Sequence, residues 1–153
     1  MKSILHIFAL LLISVRVFSQ NFDIYTETFT LNGMPGIQSY VSAKRAPYWV
    51  LIGGRTDGLH KRQPNQSFLA ASNNTNIYVI NPHTQQVWSA SITTLPTTLR
   101  EQLQSTNMVF EQLENKLYVA GGYGYSATAQ DHITYPHLTV IDLDGLVNAI
   151  IQG

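Results

Sequence analysis

Two stretches of this 153-residue chain repeat one pattern, and no other feature limits its architecture as strongly. Residues 117–122 read Leu-Tyr-Val-Ala-Gly-Gly, and residues 49–54 read Trp-Val-Leu-Ile-Gly-Gly. With Gly53 registered on Gly121, Ser39-Tyr40-Val41 falls on Asn107-Met108-Val109. Further on, Ile77-Tyr78-Val79-Ile80-Asn81 is echoed by Leu138-Thr139-Val140-Ile141-Asp142. Each copy therefore orders itself as strand, turn, strand ending in Gly-Gly, loop, and a strand ending in Asn or Asp. A glycine pair at a strand end is expected where the backbone must take positive φ or admit a neighbouring chain closely.

The unit resembles a kelch repeat, one four-stranded blade of a β-propeller. In the first copy the marks are Gly53-Gly54, Tyr78, and Trp88 after the Asn81-Pro82 turn. The second keeps Gly121 and Gly122 and the Asp142 turn, but has Thr139 in place of the Tyr and lacks a later Trp. The resemblance covers residues 37–151. It implies an all-β fold, a partial kelch-type propeller of about two four-stranded antiparallel blades. A blade takes ~40–50 residues and a ring about four to eight blades. The resemblance thus implies the N-terminal part of a longer protein, with C-terminal blades of the same protein as its partners.

The expected organisation begins with a signal peptide at residues 1–19. Met1-Lys2 supplies the positive start, residues 4–15 the apolar run, and Val17-Phe18-Ser19 a cleavage site before Gln20. The run is shorter than the ~20 residues of a membrane span; Arg16 near the site keeps an uncleaved anchor open. Secretion or a periplasmic location follows as the expectation. Cleavage removes Lys2 and Arg16 from the nine basic side chains and none of the nine acidic ones, leaving a nearly neutral protein. That balance argues against nucleic acid as a partner. There is no Cys, so an exported domain must rely on its apolar core.

Residues 20–36 read as a leading strand and turn. Residues 21–31 are rich in Phe, Ile, Tyr and Thr, and Asn32-Gly33 ends them. The resemblance implies that this strand closes the ring. Residues 37–92 make the first blade, with strands at 37–43, 48–52, 77–81 and 86–92 and a polar loop over 55–76. In the inter-blade loop, residues 93–105, Leu95, Leu99 and Leu103 predict a short helix over 98–104. Thr98 and Glu101 stand at capping-box spacing. Residues 106–153 form the second, partial blade: strands at 106–112, 116–120 and 138–143, a loop over 123–137, and a turn at Asp144-Gly145. Residues 146–151 suit either a fourth strand or a helix.

Several motifs look like chemistry and are read otherwise. Gly122-Tyr123-Gly124-Tyr125-Ser126-Ala127 matches a dinucleotide fingerprint, but no apolar helical stripe follows it. His60, His132 and His137 lack metal-site spacing, and Asp142-Leu143-Asp144-Gly145 lacks the terminal Glu of a calcium loop. No metal or cofactor is expected, and no catalytic residue is assigned.

In an antiparallel meander the long loops gather at one end, where binding usually resides. The candidate ligand-binding residues are therefore Arg55, His60, Arg62, Tyr123, Tyr125, His132 and His137. Gly53, Gly54, Tyr78, Trp88, Gly121 and Gly122 are read as structural. The expected function is a binding or interaction module for carbohydrate or protein. The alternative is a kelch-propeller enzyme acting on sugars, a sialic-acid-type epimerase or mutarotase, or an oxidase; the absent Cys weakens the Tyr-Cys copper version.

Overall fold

Antiparallel pairing sorts the apolar segments into two four-stranded sheets in the computed structural model, which describes residues 22–58 and 67–153. With two short helices added, the protein is mostly β. The chain divides into Met1–Thr30 and Leu31–Gly153. In the first unit the described residues, 22–30, take neither strand nor helix, and Phe22, Ile24 and Tyr25 are exposed. The strand expected over 21–31 is thus not formed in its described part. β-propensity supplies suitable side chains, but a strand exists only through ladder hydrogen bonds to a partner. The proposed signal peptide lies outside the described residues.

In the second unit, sheet 1 is a meander of β1 (Val41–Arg45), β2 (Tyr48–Ile52), β3 (Asn76–Asn81) and β4 (Gln86–Ser91). The first strand starts later than expected, with only a bridge between Gln38 and Arg55 before it. Asn81 turns β3 into β4: its Oδ1 accepts from the backbone N–H of His83 and Thr84 at 3.0 and 3.3 Å.

Sheet 2 comprises β5 (Thr106–Leu113), β6 (Lys116–Ser126), β7 (Asp131–Thr134) and β8 (Leu138–Asp142). Here β7 and β8 both pair with β6, one along each half of it. The loop expected over 123–137 is therefore largely a hairpin, with Tyr123 opposite Thr134 and Tyr125 opposite His132. Tyr-Gly-Tyr-Ser alternates at the strand period, so β6 continues through its glycines where a loop was expected.

The two sheets share one register. In sheet 1 Val41 faces Ile52, Ala43 faces Val50, and Ile52 faces Ile77. In sheet 2 the equivalent pairs are Val109 with Ala120, Glu111 with Tyr118, and Ala120 with Leu138. Even a positive φ recurs at equivalent positions, at Ser39 (54°) just before β1 and at Asn107 (57°) near the start of β5. The glycine pairs take positive φ in both copies. A Cβ on Gly53 would come closer than 3.0 Å to the Leu103 and Ser105 carbonyls, and one on Gly122 would strike Ser105. The pairs mark where the chain entering sheet 2 crosses both strands.

The core lies between the sheets. Val41, Ala43, Val50, Ile52, Ile77 and Val79 of sheet 1 join Met108, Leu117 and Val119 of sheet 2. Burying each large aliphatic side chain contributes about 1.5–3 kcal/mol. The Gln112 side chain clamps the joint, accepting from Lys44 N–H and donating to Lys44 C=O, both at 2.8 Å. Behind sheet 1 a smaller cluster of Leu51, Tyr78 and Ile80 is covered by Leu31, Met34 and Ile37.

Helix α1 (Thr97–Leu103) forms where the leucine spacing predicts it, with Leu103 buried. The capping box does not form: Pro96 is the N-cap and Thr98 lies inside the helix. Glu101 instead accepts from Ser126 Oγ at 2.7 Å and from Thr128 N and Oγ1 at 3.2 Å. A tertiary partner outcompetes the local cap. Helix α2 (Leu143–Gln152) takes in the expected Asp144-Gly145 turn, and the stretch over 146–151 that suited either strand or helix is helical. Asp142 caps it by accepting from Gly145 N–H at 2.7 Å, and Leu143, Val147 and Ile150 bury one face.

Candidate functional site at the loop end

Arg55 follows Gly54 at the end of β2, and its side chain is only 2% exposed. A buried guanidinium demands partners for its donors. Asp57 takes two of them, Nε to Oδ1 at 3.1 Å and Nη2 to Oδ2 at 2.6 Å. Asn73 Oδ1 and the Leu69 carbonyl each accept one more at 3.2 Å. These bonds gather the two sides of the loop that runs from β2 to β3. The Arg55 hydrogen bonds hold the Asp57 carboxyl below its ordinary range, against the opposing effect of burial.

Phe68 extends this knot toward sheet 2. Its ring lies under the Arg55 guanidinium, 5.4 Å from the charge, and meets Tyr123 edge-on at 5.1 Å. Tyr123 stacks on His132 at 6.0 Å, and Tyr125 meets the same imidazole edge-on at 5.5 Å. His132 Nε2 lies 3.2 Å from the Phe68 carbonyl, linking the β6–β7 hairpin to the loop of sheet 1. Alternation along β6 puts Tyr123 and Tyr125 on one face, and antiparallel pairing brings His132 opposite Tyr125. Tyr123, Tyr125 and His132 are each half-buried, so ring surface remains open to a ligand.

Behind the rings, Tyr135 donates from its hydroxyl to the Tyr125 carbonyl at 3.1 Å. Burial, with the Glu101 charge, pushes that hydroxyl up to about 12. Glu101 is 5% exposed; burial opposes its ionisation, yet hydrogen bonds from Ser126 and Thr128 outweigh this and hold its carboxyl low. The Ser126–Glu101 pair is closed to solvent and also caps the hairpin through Ala129 N–H at 3.0 Å. It serves as a lock on the hairpin.

Of the sequence-predicted ligand residues, Arg55, Tyr123, Tyr125 and His132 come together in one cluster. Arg55 is consumed by its partners and acts by positioning the loop. His137 stands apart: its carbonyl accepts from Gly121 N–H at 3.1 Å and from Gln102 Nε2 at 2.9 Å, closing the gap between β7 and β8. His60 and Arg62 lie outside the described residues. Sequence reasoning missed Phe68 and Asp57; the nearness of Phe68 to the buried arginine was the one signal that composition could not turn into a contact. Tyr78 is buried in the smaller cluster, and Trp88 meets Tyr48 edge-on at 5.9 Å. Both are packing residues. Among the described residues no three His, Asp or Glu side chains converge as metal ligands.

A second concavity, about 350 Å³, lies on the outer face of β1 and β2. Tyr40, Ser42, Lys44, Trp49 and Leu51 line it, with Lys44 Nζ 5.4 Å from the Trp49 ring centre. No family model matches this chain, and no curated protein or solved structure does.

Proposed function

We propose that the chain is an exported binding module, built from kelch-type propeller sheets, that takes a carbohydrate or protein ligand at its loop end. One observation carries this reading: Phe68 of the β2–β3 loop and Tyr123, Tyr125 and His132 of the β6–β7 hairpin share a single aromatic cluster braced by buried Arg55. Aromatic faces beside polar loop groups suit the apolar face of a sugar ring or a peptide side chain. The common register of the two sheets supports the propeller reading. The charged start, apolar run and small-residue site of residues 1–19 support export.

A glycan and peptide array probed with the purified protein tests the function. Tyr125→Ala and His132→Ala are expected to abolish the array signal while the melting transition stays in place. Array binding that survives both substitutions refutes the loop-end site. Intact-mass measurement of exported protein is expected to give a chain beginning at Gln20; retention of Met1 or Lys2 refutes the cleavage.

A further inference from the structure

The two sheets join asymmetrically. Sheet 1 offers the face of Val41, Val50, Ile52, Ile77 and Val79, and sheet 2 answers with its other face, Met108, Leu117 and Val119. Because the sheets share one register, each half of this joint has a counterpart elsewhere on the molecule. The positions in sheet 2 equivalent to the Val41–Val50–Val79 face are Val109, Tyr118 and Val140, with Leu138 beside them. Val109, Leu138 and Val140 are 72%, 67% and 48% exposed. The positions in sheet 1 equivalent to Met108, Leu117 and Val119 are Tyr40, Trp49 and Leu51. All three line the groove on β1 and β2, where Tyr40 and Trp49 are exposed and Leu51 forms the buried floor. Among the described residues, one chain thus displays an exposed receiving face and an inserting face exposed at Tyr40 and Trp49, the two halves of a joint that it already makes once.

We propose that this receiving face takes the exposed Tyr40–Trp49 surface of a second copy of the chain, forming a head-to-tail joint that repeats the internal one in part. A heterologous joint either closes or propagates. Two copies making it reciprocally bring four sheets together, the lower end of the about four to eight that close a propeller ring. The segment containing Leu31, Met34 and Ile37 covers the cluster of Leu51, Tyr78 and Ile80, leaving Trp49 and Tyr40 exposed for the joint. Exposed apolar side chains grouped on one sheet face mark an association site. The loop-end aromatic cluster is not used, so the inference stands apart from the ligand reading.

Sedimentation of the purified chain over a concentration series tests it, with Val140→Asp on the receiving face and Trp49→Asp on the inserting face. Both positions are half-exposed, so both variants are expected to keep the wild-type circular dichroism. Should either lose it, Leu138→Asp or Tyr40→Asp takes its place. Wild type is expected to associate, each variant alone to be monomeric, and an equimolar mixture of the two to recover association, since only the mixture contains an intact joint. Tyr125→Ala is expected to leave association unchanged. A wild type that stays monomeric throughout overturns the proposal, and means that something other than a second copy covers these faces. A mixture as monomeric as its components overturns it equally, because a self-complementary interface would then be at work.

Discussion

Equivalent positions in the two sheets carry opposite burdens. Val41 is fully buried and its counterpart Val109 is 72% exposed, although both lie on first strands with the same register and the same positive φ two residues earlier. Backbone geometry is therefore a property of the repeat, whereas burial is a property of position in the stack. The residues follow suit: sheet 1 presents Ala43 and Val50 where sheet 2 presents Glu111 and Tyr118. The same holds at the loop end. Sheet 1 ties its long connection with an ion pair between buried Arg55 and exposed Asp57, while sheet 2 folds the equivalent stretch into a hairpin fastened by Glu101.

The largest expected effect uses that first contrast. Val41→Asp should cost about 3–5 kcal/mol, the penalty of an unpaired charge in the core. At concentrations low enough for the chain to be monomeric, Val109→Asp should stay within about 0.5 kcal/mol, as an exposed substitution does. Denaturant titration of both variants checks this; equal losses would mean that Val109 is covered in solution.

The glycines give a smaller difference. Gly53→Ala and Gly121→Ala share the strain of positive φ, about 1–3 kcal/mol. The Cβ at Gly53 also meets two backbone carbonyls, whereas at Gly121 the nearest atom is 4.0 Å away. Gly53→Ala should therefore be the more destabilising by about 1–3 kcal/mol, the usual cost of overpacking. Paired thermal melts of the two variants decide it.

The pH dependence comes next. Folding lowers the carboxyls of Asp57 and Glu101, so the unfolded chain binds more protons in the acid range. Their contribution is present above the ordinary carboxylate range and is lost as pH falls through the depressed folded values. Glu101→Gln should flatten the acid limb of the stability curve, and urea midpoints followed downward from neutral pH measure it. An unchanged slope would assign the acid sensitivity of the fold to sheet 1 and Asp57.

Smallest of all is Lys44→Ala. The ammonium over the exposed Trp49 ring is worth about 0.5–1 kcal/mol. Loss of far more from the dilute, monomeric chain would show that the groove is covered within a single copy.

Strand and helix positions were largely legible because apolar period and turn chemistry act locally. Tyr48–Ile52 forms as read, and the leucines at 95, 99 and 103 predict α1 to within a residue. Asp142 with Leu143, Val147 and Ile150 settles the C-terminal ambiguity as a helix only once there is a core for that face to meet. The hairpin of Tyr123 and Tyr125 was missed because its pairing partner, Asp131–Thr134, carries little apolar signal of its own.

By itself, the sequence determined the repeat, its register and the backbone freedom demanded by the glycine pairs, since each depends on residues adjacent along the chain. Only the tertiary structure decided which face of each sheet is buried, that Glu101 abandons its helix cap for Ser126, and that Arg55 gathers Phe68 toward Tyr123 and His132. Those outcomes join groups far apart in the chain, where competing partners are compared only after the sheets have stacked.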